Sequence, residues 1–438
     1  MIATVSLSQE GLSVKNDVPL IDAYREKVLP LRARAQVRNA WLKQRLDTLI
    51  PELMQREGFD MWIVAAREYN EDPVIMTLLP EPAMAARRRT ILVFNRQENG
   101  AVECLTLDRY GYADFYVSAW NPETETQYEC LRRVVTERNP QTIGLNVSST
   151  FAFGDGLSHN EFQQFAEALG EDYMARTCSA ERLCVGWLEH RIEPELTAYP
   201  GIVEIGHALI AEAYSSRVIH PGITTTDDVV WWFRQKMLDM GFQAWFQPTV
   251  EIQAPAESYD KKEDKRKLIL PGDLLHCDVG FYYLGLATDH QQHAYILKPG
   301  ESDAPDGLKA ALLDGNKLQD ILMNVMSLGK TGNVVLAETL NTAKEAGINP
   351  SVYSHPLGYH GHAAGPVIGL WDRQDGVPGT GDYELFDQTC YAIELHIKRN
   401  VPEWDDQEVR IALEEDAVLM GGKMHWLAGR QTEFHLIG

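Results

Sequence analysis

Residues Asp273 to Tyr295 read DLLHCDVGFYYLGLATDHQQHAY, two apolar runs around a short polar turn, with Asp278 and Asp289 eleven positions apart. The pattern predicts a β-hairpin. A two-residue loop at Tyr283 and Leu284 sets Asp278 directly opposite Asp289. Opposed side chains share a face with Cβ atoms about 4.5–5.5 Å apart, and two carboxylates there repel unless a proton or a cation lies between them. A metal ion resolves the conflict; the plainer reading is a pair of edge-strand aspartates in solvent. Cys277, adjacent to Asp278, points to the opposite face, so a site built on this hairpin is not a thiolate site.

Three segments downstream add to the pair: HPLGYHGH from His355 to His362, the strand YAIELHI with Glu394, and VRIALEEDAVL with Glu415. The ordered set Asp278, Asp289, His355, Glu394 and Glu415 resembles that of the pita-bread metallopeptidases. That family includes methionine aminopeptidase, Xaa-Pro aminopeptidase and prolidase, with creatinase as a metal-free relative. The eleven-residue aspartate spacing is similar, as are His362 seven residues after His355 and the contexts GDLLHCDVG and VRIALEEDAVL. The resemblance covers residues 190–438 closely and the preceding part only loosely. It implies an α/β (α+β) chain: a smaller creatinase-type α/β domain over 1–188, without catalytic residues, and a pita-bread catalytic domain over 189–438.

Four carboxylates and one imidazole carry four negative charges, which two divalent cations balance. Oxygen-rich ligation with one nitrogen favours Mn²⁺ or Co²⁺ and tolerates Zn²⁺ or Fe²⁺. The resemblance assigns Asp278 to one metal and His355 with Glu394 to the other, with Asp289 and Glu415 bridging. It also makes Glu394 a proton relay to the leaving nitrogen and His362 a donor to substrate or oxyanion, against a plainer reading of His362 as a surface or packed histidine. Arg410 is expected to orient Glu415 or bind substrate, or else to be a strand-surface arginine.

The sequence also departs from the family pattern. No histidine stands 17 or 18 positions before Asp278, where Tyr259, Asp260 and Lys261 lie. His290, Gln291, Gln292 and His293 replace the hydroxyl and arginine run after Asp289, Leu395 and His396 replace a proline and a glycine, and two extra residues separate Arg410 from Glu415. His290, His293 and His396 are therefore candidate substrate or supporting groups, weighed against ordinary packed or surface histidines.

The rest of the chain bounds the function. At 438 residues and 45% hydrophobic it has ample core for two domains. Forty basic against 63 acidic residues leave a net charge of −23, which disfavours nucleic acid and anionic membranes. Six cysteines without a CxxC pair fit reduced, packed thiols. No signal peptide is visible at the N-terminus, so the cytoplasm is expected. Gly329-Lys330-Thr331 lacks the upstream glycine of a phosphate loop, and neither GxSxG nor HExxH occurs. Helices are predicted over Arg32–Glu57, kinked at Pro51, from Ser158 to Gly170, from Pro194 toward Ser216, and from Thr225 to Gly241. Lys261–Lys267 reads as a solvated charged loop.

The expectation is a dinuclear-metal hydrolase of C–N bonds, removing an N-terminal residue before proline or splitting an Xaa-Pro dipeptide with a metal-bridging hydroxide. The alternatives are a hydrolase of a non-peptide amide or amidine, as creatinase and ectoine hydrolase are, and a metal-free protein-binding module. The substrate is then a small peptide or small-molecule amide. The resemblance further implies a homodimer formed through the first domain, against a first domain that only narrows the cleft.

Overall fold

The computed structural model describes residues 21–256 and 267–438. Residues 257–266, with most of the charged run and the position of the missing upstream histidine, lie outside the described residues. Two compact units emerge, one over Pro30–Leu188 and one joining the segment that ends at Leu29 to Glu189–Gly438. The stretch from Ile21 to Leu29 thus goes with the second unit rather than the first. Ile21 is fully buried and its N–H donates to Glu212, while the Leu29 N–H donates to the Tyr283 hydroxyl.

The first unit is built on a six-stranded sheet ordered Val117–Ser118, Val102–Thr106, Arg89–Arg96, Met61–Arg67, Ile143–Leu145 and Thr177–Ser179. Met61–Arg67 runs antiparallel to Arg89–Arg96 and parallel to Ile143–Leu145. Ile63, Val93, Leu131 and Phe165 form part of one core, packing the helices Gln127–Arg138 and His159–Met174 on the sheet. The first long helix runs from Leu31 to Glu57 through a π-helical stretch, Arg45–Leu49, just before Pro51. A proline has no N–H to give and its ring crowds the carbonyl four residues back, so widening the preceding turn absorbs the conflict that predicted a kink. The second helix runs on past the expected stop, although Gly170 breaks its helical geometry with a φ of 73°.

The second unit has four sheets among the described residues; a small one joins Gln243–Ala244, Phe281–Tyr283 and Leu286–Ala287, and the other three share a core with two long helices, Asp306–Val325 and Gly332–Glu345. One sheet orders His435–Ile437, His290–Ile296, Leu274–Val279 and Thr249–Gln253. A second orders Asn349–Val352, Leu395–Val401 and Gln407–Leu413; a third orders His355–Leu357, Thr389–Ala392, Asp416–Met420 and Lys423–Trp426. The core between sheets and helices includes Leu308, Leu322, Leu336, Ile397, Ile411 and Leu419. Helix Thr226–Asp239 opens with the Thr225–Asp228 capping box read from the sequence. No helix among the described residues is long and apolar enough to cross a membrane.

The hairpin forms, but its register is shifted. The turn falls at Leu284 and Gly285, with φ of 55° and 81°, so Asp278 pairs with Gln291 and not with Asp289. Two consecutive left-handed residues are what a tight type I′ turn requires, and Gly285 supplies one without strain, which moves the loop one residue on. Thr288 bonds across to Phe281, which puts Asp289 beside Gly280, diagonal to Asp278 and on the same face. A Cβ at Gly280 would fall 2.4 Å from the Thr288 carbonyl oxygen, so the close approach of the two strands depends on glycine there.

Candidate metal centre

Strand alternation sends Asp278 and His276 to one face of Leu274–Val279, and Gln291 follows on its partner strand. His355 begins the strand His355–Leu357, and Glu394 and Glu414 each sit where the chain leaves one sheet and enters another. At the second of these crossings Glu414 exchanges two backbone hydrogen bonds with Gln291. His355 Nε2 lies 3.7 Å from Asp289 Oδ2, 3.7 Å from Glu394 Oε2 and 3.6 Å from Glu414 Oε1. Asp278, Glu394 and Glu414 form a second group whose oxygens all lie within 4.8 Å of one another, so Glu414 belongs to both.

Four of the expected metal ligands, Asp278, Asp289, His355 and Glu394, therefore meet in one place, and the fifth partner is Glu414, not Glu415. Consecutive extended residues project to opposite sides, so only one of two adjacent glutamates can enter the cavity. The other, Glu415, is fully buried behind it. Its Oε2 accepts from His207 Nε2 at 2.6 Å, and its Oε1 accepts from Gln292 Nε2 at 2.7 Å and the Gln431 N–H at 3.0 Å.

The two clusters differ in chemistry. Ligands held about 2.0–2.2 Å from one ion stand roughly 3–4 Å apart, which the contacts around His355 satisfy. The 2.6 Å between His207 and Glu415 is a hydrogen bond and too close for two ligands of one ion. In the first cluster Asp278 Oδ1, Asp289 Oδ1, His355 Nε2 and Glu414 Oε1 are buried without a hydrogen-bond partner. The other nitrogen of His355, Nδ1, is taken by the Pro356 carbonyl at 3.0 Å, which leaves the Nε2 lone pair free to coordinate. Burial and mutual repulsion push Asp278 and Glu414 up to about 8 and raise Asp289 and Glu394 well above the carboxylate range. Orphaned oxygens, an available imidazole nitrogen and carboxylates that cannot ionise together fit divalent cations. Glu415 is the reverse case: against the penalty of burial, His207 and His290 hold it down to about 2.

The raised carboxylates make the metal-free fold pH-sensitive. They hold protons that the unfolded chain has already lost, so the stability they contribute is full below about pH 4 and disappears as pH rises through about 8. His355, His362 and His396 are depressed to about 4, chiefly by burial, and act in the opposite direction only below the ordinary histidine range. Scanning calorimetry of metal-free protein should give a lower Tm at pH 8 than at pH 7, with a larger gain on adding Mn²⁺ at pH 8. A metal-free Tm that rises over this interval contradicts the assignment.

The remaining candidates separate. His362 stands beside His355 with ring centroids 4.7 Å apart and also meets Trp245 edge-on at 5.2 Å. His396 is half-buried, its Nδ1 has no hydrogen-bond partner, and its ring is 6.3 Å from Tyr353. Arg410 does not reach Glu415; its Nη2 is 3.5 Å from the Tyr353 hydroxyl. His290 is set apart from the ligand groups as well. It lies on the back of its strand, fully buried, 3.3 Å from Glu415. His293 is also sealed: Nδ1 meets the Leu275 carbonyl at 3.0 Å and Nε2 the Ala412 carbonyl at 2.9 Å, stitching two strands together.

Five contributors were not found by sequence reading: Glu414, His207, Gln291, His276 and Tyr353. The Gln291 amide donates to both Glu394 and Glu414 while its oxygen faces His276 Nε2 at 2.9 Å. Tyr353 stands near enough to Glu394 to counter part of the upward push on its carboxyl. His207 comes from helix Glu193–Ala213, where Gly206 permits the approach: a Cβ there would lie 2.5 Å from His290 Nε2.

The pattern of Metallopeptidase family M24 matches residues 202–420, half of the chain. The chain belongs to metallopeptidase family M24. With the site just described, this M24 protein is a metal-dependent hydrolase of the peptidase class. No curated protein matches it in sequence. Among solved structures it is similar to an X-Pro aminopeptidase from Thermotoga maritima MSB8, at 17% identity and a TM-score of 0.62, over 87% of this chain and 99% of that one. It is similar as well to a dipeptidase from Pyrococcus horikoshii OT3, at 15% identity and TM-score 0.59 over 90% and 100% of the two chains. A third, the dipeptidase PepE from Mycobacterium ulcerans, has 16% identity and TM-score 0.59 over 91% and 98%. These likenesses show the fold, and the M24 pita-bread architecture expected for the second unit is present.

Proposed function

We propose that the chain is a dinuclear-metal aminopeptidase or dipeptidase acting at Xaa-Pro bonds. The observation that carries this is the ring of Asp278, Asp289, His355, Glu394 and Glu414 with four buried ligand atoms lacking hydrogen-bond partners. The likeness to an X-Pro aminopeptidase supports the proline direction. Glu414, common to both groups, would serve both ions in the place expected of Glu415, together with Asp289; Asp278 would hold one ion, and His355 with Glu394 the other. Bound there, a pair of divalent ions supplies Lewis acidity for attack on a carbonyl. Mn²⁺ or Co²⁺ suits four carboxylates and one imidazole best.

Glu394 would carry the proton from the attacking water toward the leaving nitrogen, and Gln291 fixes its carboxylate for that task. His362, exposed beside His355, donates to the charge developing on the carbonyl oxygen. His362→Ala is expected to lower kcat by roughly 10²-fold with both metals retained, as for the loss of one oxyanion donor. Normal turnover moves that role elsewhere, and loss of metal makes His362 a ligand.

Metal content by plasma emission, with turnover on Xaa-Pro dipeptides and Xaa-Pro-Yaa tripeptides after Mn²⁺ reconstitution, tests the whole reading. No bound metal and no hydrolysis reject it. Cleavage of compact non-peptide amides or amidines alone establishes the second reading, which the replacement groups His396 and Gln291 favour. The first unit, without a catalytic cluster of its own, serves dimerisation in this proposal. Light scattering at micromolar protein giving the monomer mass of 49.4 kDa rejects the dimer.

A further inference from the structure

Glu394 and Glu414 each divide their two oxygens in the same way. Glu394 Oε1 and Glu414 Oε2 accept from the Gln291 amide, the second at 2.8 Å, whereas Glu394 Oε2 and Glu414 Oε1 lie 3.7 and 3.6 Å from His355 Nε2. One amide thus sets the rotation of both carboxyl groups, and with it which oxygens are left for a cation. The Gln291 backbone is fixed by its two bonds with Glu414, but these do not fix the direction of the side-chain amide. The oxygen and nitrogen of a glutamine amide are nearly equal in size, so their hydrogen-bond partners decide which way it faces.

His276 makes that decision. It pairs with His293, and Asp278 pairs with Gln291, so His276 and Gln291 are diagonal neighbours on one face of the hairpin. His276 Nε2 is 2.9 Å from Gln291 Oε1. Because the amide nitrogen is given to two carboxyl groups, the amide oxygen accepts, and His276 Nε2 carries the hydrogen. A flipped amide would set oxygen against carboxyl oxygens on one side and N–H against N–H on the other. The His276 ring is itself held in place: it is buried and tilted 35° against the ring of His293 at 5.1 Å. His293 is anchored in turn to the Leu275 and Ala412 carbonyls. Among the described residues His276 Nδ1 has no hydrogen-bond partner and stands 3.6 Å from Glu251, so the ring is committed to Gln291.

We propose that His276 is a positioning residue for the metal centre: from outside the ligand ring it fixes the Gln291 amide, and through that amide it turns one oxygen of Glu394 and one of Glu414 toward His355. This rests on the metal-centre reading given above and deepens it. His276 acts through Gln291 alone, which makes its contribution conditional on the amide.

Calorimetric titration of the metal-free full chain with Mn²⁺ reads the effect. His276→Phe keeps the ring and loses the donor, and is expected to raise the Mn²⁺ dissociation constant by roughly 10- to 100-fold, as for other groups that orient metal ligands. Gln291→Met should do the same. His276→Gln, whose terminal amide can stand where Nε2 does, restores most of the affinity. The two losses do not add: on a Gln291→Met background, His276→Phe changes the constant no further. Wild-type affinity in His276→Phe, or a loss of the same size with and without Gln291, overturns the proposal. Should His276→Phe fail to fold, the wild-type chain loaded with Zn²⁺ decides. Its proton–nitrogen correlation spectra are expected to show the His276 hydrogen on Nε2, and a ring carrying its hydrogen on Nδ1 alone overturns the proposal. Failure of the metal-centre reading shows separately, as a wild-type chain that binds no Mn²⁺, and takes this proposal with it.

Discussion

Glu414→Gln is expected to lose at least one metal ion and to reduce turnover by about two orders of magnitude or more, whereas Glu415→Gln keeps both metals. Glutamine preserves the shape of either side chain and removes one negative charge. At position 414 that charge is shared by both ligand groups, so neither half of the centre is left balanced. At position 415 the charge is taken up by His207, His290, Gln292 and Gln431, away from both ligand groups that share Glu414. Metal content and kcat measured side by side on the two variants decide between them. The opposite pattern, with Glu415→Gln losing metal and Glu414→Gln near normal, would falsify the placement of the two glutamates.

Glu415→Leu is expected to destabilise the protein by about 3–5 kcal/mol, the range for removing one partner from a buried charged pair. The carboxylate accepts from a histidine on helix Glu193–Ala213, an amide on the strand His290–Ile296 and a backbone N–H near the C-terminus. Leucine of similar volume fills the space but leaves these donors unsatisfied in a site sealed from water. Urea unfolding of the metal-free variant reads the loss directly, since metal loading would mask part of it. A change below about 1 kcal/mol means that water or a shift of His207 compensates, and the network then has no structural weight.

Much of the metal centre was legible because strands impose a period of two: once the hairpin was recognised, Asp278 and Asp289 had to share a face even though the turn lay one residue later than expected. His355 and Glu394 followed from the resemblance and meet the hairpin as implied. Glu415 was expected where Glu414 stands because the choice between neighbouring glutamates depends on where the chain crosses between sheets. There the alternation has no fixed phase, and the backbone bonds between Glu414 and Gln291 set it. His207 could not be seen at all. It lies among apolar helix positions, and nothing local reveals a partner 208 residues away. Arg410 was read through its sequence neighbours, whereas its environment comes from Glu251 and Gln253 on another strand and from Tyr353 just past the strand Asn349–Val352.

The two adjacent glutamates make the segment from Leu413 to Asp416 a place where chain length matters more than chemical character. Removing one residue there would leave a single carboxylate to serve two opposed compartments, and adding one would turn an apolar neighbour into the cavity. Relatives that differ freely in side chains around this point should therefore keep its length. Insertions would be tolerated instead at the left-handed turn of Asp405 and Asp406, where the chain is exposed. An alignment that slides this stretch by one position would still match glutamate to glutamate and would silently exchange a metal-centre residue for a structural one.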